Sequence, residues 1–318
     1  MWPVVLLTLF ASSGVYAVNG KCRILALGGG TTRGAYEAGA VIGLINNLPA
    51  GEAQYDAVTG IGTGAVNALI MSQYAIGQEA AAATALNKFW TSFTYSQFYK
   101  DWVGWIITGL KYESGLYDSS PMKKTLTSLA SGSFQRWLGA GSTDLLSGSY
   151  VWFNSTGQTK TDMITGVYAS ATEYGFFPIV HFKNLQLVTG HIKFSIDILH
   201  AVNYCYITKG IQMGNIIVDA VLPAGTNLTA ADTSEYKTIQ VTERTAEIAA
   251  FDLFMQTVEN AKVSFPDITI RTQIYPSTKP PTTVYPYDYT PTQLQTLLAL
   301  GQKDAKNAVA ALSSQESE

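Results

Sequence analysis

The sequence predicts an α/β fold built on a mainly parallel sheet, and three observations carry that prediction. Arg23-Ile-Leu-Ala-Leu27 is a short apolar run that ends in a Gly-rich turn, Gly28 to Gly34, and helical spacing follows from Ala35 to Leu48. Tyr55-Asp-Ala-Val-Thr-Gly60 repeats this order, with Gly60-Ile-Gly62-Thr-Gly64 as the turn and a helix-like stretch from Ala65 to Tyr74. Two strand–turn–helix units in succession imply parallel strands with crossover helices. The composition agrees, since 318 residues at 47% hydrophobic and 14% charged can bury a sizeable core.

The remaining elements follow in order. Ala80 to Tyr99 reads as a helix rich in alanine, ending in Phe89, Trp90, Phe93 and Phe98. Trp102 to Leu110 is apolar and aromatic; a buried helix is the expectation and a lipid-facing lid the alternative. Gly115 to Pro121 reads as a turn into a helix from Met122 to Ala130, with proline near its first turn. Tyr150 to Asn154 and Met163 to Ser170 read as strands, and Asn215 to Leu222 as another. Thr245 to Glu259 fits a helix, and Pro276 to Pro291 an irregular, proline-rich loop. Thr290 as N-cap and Pro291 at the first helical position open a last amphipathic helix.

Residues 1–17 have the shape of a signal peptide: an apolar run closed by Val15-Tyr16-Ala17, though without Lys or Arg before it. The expectation is cleavage after Ala17, a single domain over 18–318, and a secreted or secretory-pathway location. Asn154-Ser-Thr and Asn227-Leu-Thr are candidate glycosylation sites on such a route. Cys22 and Cys205 are the two cysteines, and the sequence leaves open whether they pair. Three histidines and no His/Cys cluster at ligand spacing give no metal site, and nothing calls for a cofactor. A net charge of −3 gives no reason to expect nucleic-acid binding.

Gly-rich turns before helices hold anions on backbone N–H groups, so a nucleotide is the first chemistry to weigh. Gly60-Ile-Gly62-Thr-Gly-Ala65 fits the dinucleotide fingerprint. That fingerprint needs an acidic residue closing the next strand about twenty residues on. Glu79, the acidic residue near that distance, lies in a helix-like context. Glycines needed only for tight turns are as good a reading as any single binding hypothesis.

Leu25-Ala-Leu-Gly-Gly-Gly-Thr-Thr-Arg-Gly-Ala-Tyr-Glu-Ala-Gly39 resembles the oxyanion loop of patatin-like phospholipases. Tyr55 to Ala68 resembles their Gly-x-Ser-x-Gly elbow with its trailing Asn-Ala, and Gly115 to Pro121 and Ala169 to Val180 resemble further family segments. The resemblance implies a patatin-like three-layer α/β/α sandwich and a lipid acyl hydrolase acting through a Ser-Asp dyad. The serine would attack the ester, the aspartate would act as base, and the Gly-rich loop would stabilise the oxyanion.

Carried over position by position, the dyad is missing. Gly62 stands at the nucleophile, and Thr189-Gly190 stands where Asp-Gly belongs. In the oxyanion loop Gly29, Gly30, Arg33 and Gly34 match, while Thr31 replaces the third glycine. Glycine carries no nucleophile, and a threonine hydroxyl is no carboxylate base. Thr63 and His191 lie beside the two lost positions, and Asp197 with His200 reads as a surface pair one helical turn apart. The expected function is therefore a pseudoenzyme that binds lipid, a fatty acid or a protein partner, with peripheral membrane contact open. Two alternatives remain: a hydrolase using another nucleophile or an activated water, and a structural assembly subunit.

Overall fold

The computed structural model describes residues 20–29, 33–223, 230–281, 283 and 286–315. The expectations for the signal peptide, Gly30, Thr31 and Asn227 lie outside the described residues. Eight strands form one sheet: β1 (Cys22–Leu27), β2 (Ala57–Ile61), β3 (Trp137–Asp144), β4 (Tyr150–Asn154), β5 (Val180–Phe182), β6 (Leu185–Thr189), β7 (Ile216–Val221) and β8 (Thr269–Ile274). Their order is β5–β6–β3–β2–β1–β7–β8, with β4 also paired to β3. β8, β7, β1, β2 and β3 run parallel, and β4 and β6 pair antiparallel with β3.

Helices cover both faces of this sheet. On one lie α1 (Gly34–Asn47), α2 (Thr63–Ser72), α3 (Glu79–Thr91), α5 (Ser120–Leu129), α6 (Lys160–Ala171) and α9 (Pro291–Gln315), which share the larger hydrophobic core. On the other, α7 (Leu199–Asn203) and α8 (Thr238–Ser264) enclose a second core with Ile196, Ile198, Val218 and Ala220. β1 explains the arrangement: all six of its residues are buried, so it needs neighbours on both edges and cover on both faces. α9 begins at Pro291, with the Thr290 hydroxyl accepting the Gln293 N–H at 3.2 Å, as its sequence predicts.

The structure departs from the sequence reading in several places, and three bear on the architecture. Residues 163–170 are helical, within α6, not a strand: the Thr159 hydroxyl caps the Asp162 N–H, and Met163, Ile164, Val167 and Ala171 are buried at helical spacing. β3 gave no strand signal because Gly139, Ala140, Gly141 and Ser142 are small, yet every residue of it is buried. A Cβ on Gly141 would stand 1.8 Å from the Tyr150 hydroxyl, so the glycine makes room for that ring.

The third departure is α4 (Trp105–Lys111), where a buried helix was expected. Its sole buried residue is Gly109, whereas Val103, Trp105, Ile107, Leu110 and Tyr112 are 97, 64, 64, 71 and 75% exposed. The glycine anchors this turn on the backbone of Leu116, leaving the large side chains outside. Among the described residues no helix is long and apolar enough to cross a membrane.

Candidate active site

The candidate site forms where β2 ends. Gly62, between β2 and α2, has φ 59° and ψ −130°, a conformation that strains any residue with a side chain. The flanking glycines are set by close approach: a Cβ on Gly60 would stand 2.2 Å from the Gly64 backbone. One on Gly64 would stand 2.7 Å from the Gly28 carbonyl oxygen. The turn from β2 into α2 is thus tight and glycine-dependent, and Gly62 carries no side chain at its positive φ.

The register of β3 places Thr189 beside this elbow. Ile61 lies opposite Gly141, and Thr189 lies opposite Ser142. Because β4 occupies the other edge of β3 from Gly139 to Thr143, β6 must share the edge used by β2. β2 and β6 therefore meet end to end, each one strand spacing, about 4.8 Å, from β3. Thr189 is fully buried, and its hydroxyl accepts the His191 N–H at 3.3 Å, capping a single 3₁₀ turn, Gly190–Ile192. Gly190 packs flat on β3, since a Cβ there would stand 2.5 Å from the Gly141 carbonyl oxygen.

α6 joins the two positions. The Gly62 N–H donates to Ser170 Oγ at 3.1 Å, and the Thr189 N–H donates to the Thr172 carbonyl at 2.9 Å. Sequence reasoning gave Ser170 no role, because its position at the elbow depends on packing between segments 108 residues apart. It is fully buried and uses its hydroxyl oxygen as an acceptor. Thr63 points away toward α1: its Cβ would be 2.8 Å from a Cβ on Gly34.

His191 reaches the oxyanion loop. Its Nδ1 and the Cγ2 of Ile61 would both lie 3.0 Å from a Cβ on Gly29, so the imidazole stands over Gly29 next to the end of β2. The residue as a whole is half-buried, but Nδ1 is sealed from solvent and has no hydrogen-bond partner among the described residues. Desolvation pushes its pKa down to about 4, so the ring is neutral at physiological pH. The Gly29 N–H is committed elsewhere, donating to the Ser195 carbonyl at 2.6 Å. Of the other loop positions, Arg33 donates to the Pro223 carbonyl at 2.9 Å and Gly34 opens α1.

Two further sequence candidates are placed by the structure. Glu79 forms a buried ion pair with Arg136 at 3.0 Å on α3, which accounts for it without a nucleotide. Asp197 and His200 are not a surface pair: Asp197 is 4% exposed and lies on the α7/α8 face. No cluster of His, Cys, Asp and Glu suited to a metal ion occurs among the described residues.

Comparison with known proteins bears on the family. Among solved structures, VipD from Legionella pneumophila is similar over 92% of this chain and 67% of its own. The identity is 10% and the TM-score 0.42. No curated protein sequence matches. The profile of the family described as patatin-like phospholipase matches residues 25–201, more than half of the chain, from β1 through the elbow and Thr189 into α7. The chain belongs to the patatin-like phospholipase family.

Proposed function

We propose that this protein is a pseudoenzyme of its family, which binds lipid or fatty acid without hydrolysing it. The observation that carries this reading is Gly62, which keeps the elbow backbone at φ 59° and carries no hydroxyl to attack an ester. Thr189 at the place of the base supports it, since its hydroxyl serves as a helix cap. The hydroxyl hydrogen-bonded to the Gly62 backbone, that of Ser170, is fully buried and accepts the Gly62 N–H. The exposed apolar segment from Val103 to Tyr112 is compatible with contact to lipid, a membrane surface or a protein partner.

A secretory route belongs to the same proposal. The Cys22–Cys205 disulfide is of a kind that persists in oxidising compartments. Asn154 ends β4, and its Oδ1 accepts hydrogen bonds from the Thr156 N–H and hydroxyl and from the Gly157 N–H. This Asx turn, with Thr156 and Gly157 exposed, supports reading the sequon as a glycan acceptor.

The test is twofold. Repurified protein should show no turnover of a chromogenic short-chain ester above background, and solvent extraction should release bound lipid detectable by mass spectrometry. Ester turnover surviving repurification and lost in Ser170→Ala or His191→Ala would replace this reading with the hydrolase alternative. Mass spectrometry of the mature chain should find Val18 at its N-terminus; Met1 or Trp2 there would remove the secretory part.

A further inference from the structure

On the α7/α8 face, apart from the elbow, a carboxylate holds an imidazole at the edge of an apolar pocket. Both carboxylate oxygens of Asp197 lie 2.9 Å from His200 Nδ1. The same carboxylate accepts the Tyr150 hydroxyl at 2.8 Å and the His200 backbone N–H at 3.1 Å. Asp197 accepts, so the proton of a neutral His200 ring sits on Nδ1, and Nε2 presents a lone pair. Trp152 stacks on the ring at 4.4 Å and Tyr150 at 5.7 Å, which fixes its plane. Nε2 has no hydrogen-bond partner among the described residues and is not sealed from solvent.

Capping of α7 explains the Asp197 contact with the His200 backbone. It does not explain why a tyrosine crosses Gly141 to reach that carboxylate, or why the imidazole is locked by two rings with one nitrogen unused. Beside His200 lies a cavity of about 90 Å³. Ile196, Leu199, Ala261 and Phe265 line it with Asn260 and Ser264, and no lysine or arginine reaches it. A cavity of roughly 150 Å³ takes one benzene ring, so this one admits part of an alkyl chain and leaves the rest outside.

We propose that this pocket binds an uncharged amphiphile whose terminal hydroxyl donates a hydrogen bond to His200 Nε2. The alkyl chain lies against Ile196, Leu199, Ala261 and Phe265. The lone pair selects a donor, and the absence of a cation from the lining next to the Asp197 carboxylate disfavours a fatty acid anion. The site does not rest on what the elbow binds. The segment 190–200 does link the two places, because its Ser195 carbonyl holds Gly29 while Asp197 and His200 line the pocket.

The test uses octan-1-ol and octanoate on the full protein, read by NMR. Three histidines, His181, His191 and His200, make the ring C–H signals assignable by single substitutions. Octan-1-ol should shift the His200 signals saturably and leave His181 and His191 unmoved, with octanoate at least tenfold weaker. Ser264→Trp, at an exposed position on the rim, should abolish the shift without disturbing the core. His200→Phe keeps the ring stack and removes the acceptor. It should weaken octan-1-ol about tenfold as read on the Trp152 indole signal, the order expected for one hydrogen bond. No shift, equal binding of octanoate, or full binding by Ser264→Trp or His200→Phe would overturn the proposal.

Discussion

Removing the imidazole from the oxyanion loop should change how stability depends on acid. His191 is neutral in the folded protein down to about pH 4, whereas an unfolded chain protonates it near 6.5. Above pH 6.5 both states hold a neutral ring and the shift contributes nothing. Between 6.5 and 4 the unfolded state binds the extra proton, so stability falls as pH falls. Two and a half units at about 1.36 kcal/mol each set a ceiling of roughly 3 kcal/mol. Because the residue is only half-buried, solvent screening reduces this to about 1–2 kcal/mol. The assay is urea denaturation of the wild type and His191→Leu at pH 7.5 and 4.5. The wild type should lose about 1–2 kcal/mol more than the variant over that interval, because leucine has no proton to bind and contributions from other groups cancel in the difference. An equal loss in both proteins, or an NMR titration of His191 with a midpoint near 6.5, would refute the placement of Nδ1 in a sealed position over Gly29.

Gly62→Ser should destabilise by about 1–3 kcal/mol, because serine must adopt φ 59° without compensating contacts; a calorimetric melting temperature at or above that of the wild type would count against strain at the elbow. Gly62→Ser with Thr189→Asp should still give at most weak esterase activity, measured on a chromogenic ester, since His191 stands over the oxyanion loop and the Gly29 N–H is committed to Ser195. Tyr150→Phe should cost about 1–3 kcal/mol in urea denaturation by removing a hydroxyl donor from the buried Asp197 carboxylate, which then keeps, among the described residues, only its donors on His200. Replacing Cys22 and Cys205 together by serine should cost about 2–5 kcal/mol, since the bridge closes a loop with a sequence separation of 183; unchanged stability would mean that the unfolded chain is not constrained by it.

What the sequence determined by itself is local. Gly60, Gly62 and Gly64 follow an apolar run and precede a helical one, and the close approaches at Gly60 and Gly64 involve backbone a few residues away or from the preceding strand. That Gly62 carries no nucleophile and Thr189 no carboxylate is likewise a matter of residue identity. The last helix was legible because Thr290, Pro291 and the spacing of Leu294, Leu297 and Leu298 act within a few turns. Tertiary structure decided what depends on distant partners. Residues 163–170 read as a strand, and are helical because Thr159 caps them and their apolar face packs against β3 and β4. β3 carries almost no strand propensity and forms because β2, β4 and β6 supply its hydrogen bonds. His191 meets Gly29, Tyr150 meets Asp197, and Cys22 meets Cys205 only after β1, β3 and the 190–205 segment have assembled. Those contacts cross 47 to 183 residues, a range over which side-chain periodicity carries no information and the register of the sheet decides.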